Sequence, residues 1–131
     1  MEISVLSFAD YAQETAGKLT IVGIFDQINA PVFPFKYSFY LVGRFNFAPK
    51  EDYPRKIDIK VRYADDKKEL FIVNGDVNQF KVNMNDNYSL SFLLNFATIL
   101  FEKEGTYLFE IKTDNGFSTV IPLKVILSKN K

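Results

Sequence analysis

The acidic side chains best placed to do chemistry in this sequence stand in one short charged turn. Asp65 and Asp66, with Glu69 nearby, could act as an acid and a base in hydrolysis. Lys67 and Lys68 lie between Asp66 and Glu69, however, and we therefore interpret these residues as solvated charges in a turn. A carboxylate-dependent hydrolase therefore stays as the third of three functional hypotheses.

A second candidate for chemistry is the run Asn-Met-Asn-Asp-Asn at residues 83–87. Its oxygen ligands stand at alternate positions, as they do in a calcium-binding loop. The run lacks the central glycine and the distal glutamate of such a loop, and asparagine and aspartate are also common in ordinary turns. We therefore predict a plain turn here, and neither a metal site nor a cofactor.

The amino-acid composition excludes the commonest other kinds of catalytic and metal-binding site. The 131 residues include no cysteine and no histidine, so a Ser-His-Asp triad and a zinc site built on these residues are excluded. Basic and acidic residues number 16 each, which argues against binding to nucleic acid or to a membrane surface. We predict a non-enzymatic protein with neither partner. A net charge of zero does not oppose self-association.

Two further features of the sequence predict the cellular compartment of the protein. The N-terminal residues carry no basic segment ahead of their apolar positions, which argues against a secretory signal. No apolar run approaches the roughly 20 residues that span a bilayer. We therefore expect a cytoplasmic protein.

The strands that would position any site are indicated by strict alternation of apolar and polar residues. Between residues 35 and 47 one face carries Phe35, Tyr37, Phe39, Leu41, Gly43, Phe45 and Phe47. A period of two is typical of a strand, and aromatic residues at this spacing are typical of a core. Similar patterns recur along the chain, and Asn74-Gly75 predicts a hairpin turn. Eight or nine strands predict a single all-β domain over residues 1–131, a two-sheet antiparallel sandwich. A jelly roll or a closed barrel is the alternative.

The stretch Gly17–Asp26 is the one around which we expect the other strands to be arranged. Residues 2–9 predict a first strand with a bulge or a bend, residues 10–18 a connection, and residues 19–28 a second strand. The apolar residues of this second strand are nearly continuous, which indicates that both of its faces are covered or that a bulge at Gly23 shifts its register. We also expect the strand to have neighbours on both edges. Gly23 in its middle predicts a bulge or a close backbone approach.

Two parts of the sequence resemble known proteins. Gly105-Thr106-Tyr107 resembles the tyrosine corner of immunoglobulin-like sandwiches, which implies that the Tyr107 hydroxyl bonds to a nearby backbone group. The stretches 8–12, 17–26, 105–111 and 121–125 together resemble a family of small bacterial proteins, about as long as this chain, that have no assigned function. That resemblance implies a β-sandwich and supplies no catalytic residues.

One strand face predicts a contact surface. Tyr40, Val42 and Arg44 alternate with the aromatic series, and tyrosine and arginine are over-represented in interface hot spots. The leading hypothesis is a protein-interaction or self-assembly module that pairs with a partner, or with its own copy, through an edge strand. The alternative is a sandwich that binds a small molecule or a carbohydrate through Tyr11, Tyr40 and Tyr53.

Overall fold

The fold consists of β-strands joined by short connections. The computed structural model describes residues 2–16, 18–47, 54–65, 69–76, 81–85 and 89–128. Within these ranges no residue is helical, and so none belongs to a helix long and apolar enough to cross a membrane. The strands are β1 (Glu2–Thr15), β2 (Lys18–Phe25), β3 (Gln27–Ala30), β4 (Phe35–Asn46), β5 (Lys56–Tyr63), β6 (Glu69–Asp76), β7 (Lys81–Asn85), β8 (Ser89–Phe101), β9 (Gly105–Thr113) and β10 (Ser118–Leu127).

The strands form two sheets, as the sequence predicts, but the described residues contain ten strands, five in each sheet, where the sequence predicts eight or nine. The first has the order β2-β1-β4-β8-β7 and the second the order β3-β10-β9-β5-β6. Neighbouring strands are antiparallel, except for β3 and β10, which run parallel. Without β2 and β3, the two orders are those of strands A-B-E-D and G-F-C-C′ in an immunoglobulin domain. The strand order therefore makes the sandwich immunoglobulin-like.

The core between the sheets is built largely from aromatic rings. Phe8 and Phe39 of the first sheet and Phe109 of the second are fully buried. The ring centroid of Phe8 lies 4.8 Å from that of Phe109 and 5.6 Å from that of Phe39, in edge-to-face arrangements that favour aromatic contacts. The inner face of β4 is thus part of the core, as its alternation predicts.

The connection between β8 and β9 forms a tyrosine corner, which confirms the resemblance seen in the sequence. The Tyr107 hydroxyl donates a hydrogen bond to the carbonyl of Lys103 at 2.5 Å. A second ring closes the corner, because the Tyr63 hydroxyl donates to the carbonyl of Glu104. Gly105 is needed between them, since a Cβ atom there would collide with the Tyr63 ring. The corner holds the crossing between the two sheets.

Several predicted boundaries are wrong around the first two strands. Residues 10–15 continue β1 instead of forming a connection, and the turn comes at Ala16, whose φ is +52°. The predicted second strand over residues 19–28 is two strands, because the chain bends at Asp26 and enters the other sheet as β3. Among the described strands β2 pairs only with β1, so it is an edge strand and not a central one. The apolar residues of the stretch 19–28 therefore belong to two sheets, first in β2 and then in β3.

Two other local predictions also fail. Asn74-Gly75 forms no hairpin, because both residues lie inside β6 opposite Asp58 and Ile57. The run at residues 83–87 is not simply a turn, since β7 extends to Asn85; Asp86 and Asn87 lie outside the described residues. The bulge predicted in the first strand is confirmed, at the register shift between Ile3 and Val5.

We expect Tyr107→Phe to lower the free energy of unfolding by about 1–2 kcal/mol, because it leaves the Lys103 carbonyl without its buried donor. The ring stays in place, so the loss of packing is small. Urea denaturation monitored by circular dichroism measures the change. Tyr11→Phe is the control, since the Tyr11 hydroxyl donates its hydrogen bond to the exposed side chain of Gln13. An equal loss in both variants would show that the corner adds nothing.

Candidate functional site

The candidate site is built on the hairpin formed by the second half of β1 and all of β2. Cross-strand pairing places Tyr11 opposite Val22 and Ala12 opposite Ile21, so these two pairs lie on opposite faces of the hairpin. One face packs against the protein, and the other is exposed.

The packed face of the hairpin contributes to a second hydrophobic cluster, on the outer face of the first sheet. Its buried members are Ala9, Ala12, Val42 and Leu93. Val42 and Leu93 follow core residues of β4 and β8, so they point away from the core between the sheets. Leu19 and Ile21 of β2 pack against this cluster. The hairpin therefore helps to cover the outer face of its own sheet.

This packing changes how the predicted surface of Tyr40, Val42 and Arg44 is used. The three residues do share the outer face of β4, but Val42 has no exposed surface. The Arg44 side chain donates from Nε to the Ser91 hydroxyl at 2.9 Å. The Tyr40 ring meets the Tyr11 ring edge to face, with their centroids 5.7 Å apart. Contacts within the chain thus occupy much of the face that the sequence assigns to a partner.

A three-residue contact anchors the hairpin where β1 leaves β4. Gly23 has a φ of +70° and leaves room for the Asp10 carboxylate, with which a Cβ atom at position 23 would collide. The Asp10 carboxylate accepts a hydrogen bond from the Tyr37 hydroxyl at 2.7 Å. That hydrogen bond, with burial and the nearby negative charge, raises the pKa of Tyr37 to about 12. The close approach predicted at Gly23 is therefore present, although the strand is at an edge.

Apolar side chains of the hairpin are exposed on either side of Gly23. Val22 is 53% exposed and Ile24 is 66% exposed, and Tyr11 on β1 is 44% exposed. Lys18 begins β2, and Asp26 lies beyond the strand, where the chain bends. In the described part of the chain the edge of β2 that faces away from β1 has no neighbouring strand. This edge and the exposed apolar side chains beside it are the candidate interaction site. Sequence reasoning missed it, because Tyr11 falls in the predicted connection.

A separate cleft of about 850 Å³ opens between β8 and the start of β6. Leu94, Phe96, Ile99 and Leu100 supply apolar walls. The lining includes neither Tyr11 nor Tyr40, and Tyr53 lies outside the described residues. The cleft is therefore not the aromatic surface that the carbohydrate hypothesis requires.

Of the three carboxylates in the hydrolase hypothesis, Glu69 lines this cleft and Asp65 does not. Glu69 and Glu102 both line the cleft, and Glu69 lies 3.9 Å from the Lys60 ammonium. Asp65 is exposed, and Asp66 lies outside the described residues. No group of three or more acidic residues that could hold a metal ion occurs among the residues the structure describes. The acid and base roles stay a hypothesis.

Comparison with known proteins gives a family. A family model described as a family of unknown function, DUF6941, matches residues 4–126. The chain belongs to this family. No curated protein matches the chain. A solved structure described as the ZIG-8–RIG-5 IG1-IG1 heterodimer in a monoclinic form is similar at 15% identity and a TM-score of 0.33, over 79% of this chain and 80% of that chain. The immunoglobulin-like assignment of this DUF6941 protein rests on its strand order.

We expect Gly23→Ala to lower the free energy of unfolding by about 2–3 kcal/mol, because it combines backbone strain with a collision at Asp10. Gly116→Ala is the matched control, since Gly116 also has a positive φ, of +93°, but open space around its Cβ position. Gly116→Ala should therefore cost only the strain, about 1 kcal/mol. If urea denaturation gave the two variants equal losses of unfolding free energy, the collision with Asp10 would not contribute to the effect.

Stability should also depend on the ionisation of Tyr37. The raised pKa means that the folded state holds this proton more tightly than the unfolded state, so its contribution is complete below pH 10 and is lost towards pH 12. Tyr37→Phe should therefore be less stable than the parent at pH 8. The difference should shrink as the pH rises through this range. A difference in unfolding free energy that stays constant from pH 8 to pH 11.5 would contradict the coupling.

Proposed function

We propose that this DUF6941 protein is a non-catalytic protein-interaction module that binds an extended segment of another polypeptide along β2. The observation that carries the proposal is an edge strand that exposes the apolar side chains of Val22 and Ile24. A strand at a sheet edge offers a row of backbone donors and acceptors to a further strand. Recognition by strand addition uses these groups for affinity and the alternate side chains for specificity.

The side chains of β2 support this use of the edge. Edge strands that avoid pairing carry proline, several lysines or inward-pointing charges. β2 has no proline, and its single lysine stands at its first residue. Burial of the exposed surface of Val22 and Ile24 would contribute about 1 kcal/mol for each side chain. In the other sheet, the edge strand β3 has only four residues, so it offers a shorter template for strand addition.

The composition supports a non-catalytic role, because a chain without histidine and cysteine lacks the commonest general base and the thiol nucleophile. The lack of cysteine is compatible with the reducing cytoplasm, where disulfides are rare. We propose this compartment for the protein. Balanced charge supports a polypeptide partner over nucleic acid.

A photo-crosslinking experiment tests the proposal. A benzophenone amino acid in place of Val22 should give discrete crosslinked polypeptides in cells that express the protein. The same amino acid in place of Asp58 is the control, because Asp58 is exposed on β5 and is paired with a neighbouring strand on both sides. Ile24→Lys should remove the products formed from position 22 while the melting temperature stays within a few degrees. Equal crosslinking from both positions would argue against the edge.

The cleft between β8 and β6 favours a second candidate, a small-molecule-binding sandwich. Its size and apolar walls are those of a ligand site. Apolar fragments that bind there should raise the melting temperature of the parent by several degrees, and Leu100→Lys should abolish that shift, because Leu100 is an exposed side chain of the lining. Shifts of the same size in the parent and in this variant would exclude the cleft.

A further inference from the structure

The sequence contains two Asn-Gly pairs, and the structure places them in different backbone environments. Asn74-Gly75 lies inside β6, where both residues are paired with β5. Asn115-Gly116 lies in the turn between β9 and β10. An Asn-Gly pair is chemically labile, because glycine has no side chain to hinder attack of its backbone nitrogen on the asparagine side chain. The two pairs share this chemistry, so a difference between them must come from the fold.

The turn between β9 and β10 restrains the Gly116 nitrogen only weakly. The Gly116 amide donates to the carbonyl of Thr113 at 3.3 Å, which is a long hydrogen bond. Gly116 is exposed, and apart from its chain neighbours no described residue lies within 4 Å of the position that its Cβ would take. A backbone rotation that brings this nitrogen to the Asn115 side chain breaks a long hydrogen bond. In β6 the same rotation has to break the ladder with β5.

A hydroxyl group in the turn also activates the asparagine side chain. The Thr113 hydroxyl donates to Oδ1 of Asn115. The Phe117 amide donates to this hydroxyl at 3.2 Å and holds it in place, while the Phe117 carbonyl, at 3.4 Å, is a more distant acceptor. A donor on Oδ1 stabilises the negative charge that develops on this oxygen when a nitrogen attacks Cγ. The turn therefore favours the attack in addition to permitting it.

We propose that Asn115 is a site of spontaneous deamidation in the folded protein, and that its place in β6 protects Asn74. The Gly116 nitrogen gives its proton to hydroxide and forms a bond to Cγ of Asn115, and the bond from Cγ to the side-chain nitrogen breaks. Ammonia leaves with a proton from water, and a succinimide ring remains. Water then opens the ring at either carbonyl carbon, which gives aspartate or isoaspartate. The net reaction takes up water and releases ammonia, with no oxidation or reduction.

The two products differ in their effect on the fold. Asp114, the preceding residue, anchors the turn to β5, because its carboxylate accepts from the backbone amides of Arg55 at 2.9 Å and Lys56 at 3.2 Å. Isoaspartate at position 115 adds a carbon atom to the main chain beside this anchor and so displaces it. Aspartate leaves the length of the main chain unchanged. Loss of stability should therefore follow the isoaspartate product.

Incubation of the protein at mildly alkaline pH, followed by peptide mapping with mass spectrometry, tests the proposal. The peptide that contains Asn115 should gain about one mass unit roughly tenfold faster than the peptide that contains Asn74, because reaction within β6 requires local opening of the sheet. The same protein in urea is the control, since both pairs should react at similar rates when unfolded. Thr113→Val should slow the reaction at Asn115, and Thr113→Ser, which keeps the hydroxyl, should restore it. Melting temperatures verify that both variants fold.

Each outcome bears on one part of the proposal. Equal rates at the two pairs in the folded protein, or a faster reaction at Asn74, overturn it. Equal rates at Asn115 in Thr113→Val and Thr113→Ser overturn the role given to the hydroxyl. Asn115→Asp should keep the melting temperature of the parent, while the isoaspartate fraction, separated by chromatography, should melt lower. Equal melting temperatures of the two would overturn the displacement of the anchor.

Discussion

The Asp10 carboxylate, held between Gly23 and the Tyr37 hydroxyl, is the contact on which the arrangement of the hairpin depends. It lies where β1 leaves its neighbour β4, just past their last paired residues, Ala9 and Tyr40. A carboxylate on this side of the strand needs both a donor and space. Tyr37 supplies the donor and the glycine supplies the space. With this point fixed, the hairpin beyond it can pack its apolar residues onto the outer face of the sheet.

That packing divides the apolar residues of the hairpin between two environments. Leu19 and Ile21 join the cluster around Val42, while Val22 and Ile24 are exposed to solvent. An immunoglobulin-like sandwich ordinarily has no such hairpin beside its first strand. Here the hairpin both covers a surface that would otherwise be apolar and forms the new edge of the sheet. The same hairpin therefore stabilises the fold and exposes the candidate site to solvent.

The two sheets also explain why residues 19–28 have the sequence pattern of a buried strand. Phe25 packs on the core from the first sheet, and Ile28 is buried in the same core from the second. The bend at Asp26 lets consecutive residues serve both sheets, since the chain crosses from one to the other there. Continuous apolar residues are typical of a strand with two covered faces, and the same pattern arises from a strand that changes sheets.

The sequence by itself determined the fold class, the inner face of β4 and the tyrosine corner at Tyr107. These follow from alternation and from a short motif, which depend on residues close together in the chain. Tertiary structure alone decided that residues 10–15 continue a strand, that β2 is an edge and that Val42 is covered. Which strand lies at an edge, and what packs on an outer face, depends on contacts between residues far apart in sequence. A local sequence pattern carries no information about such distant partners, so only the tertiary structure shows that the hairpin of β1 and β2 lies at the edge of its sheet.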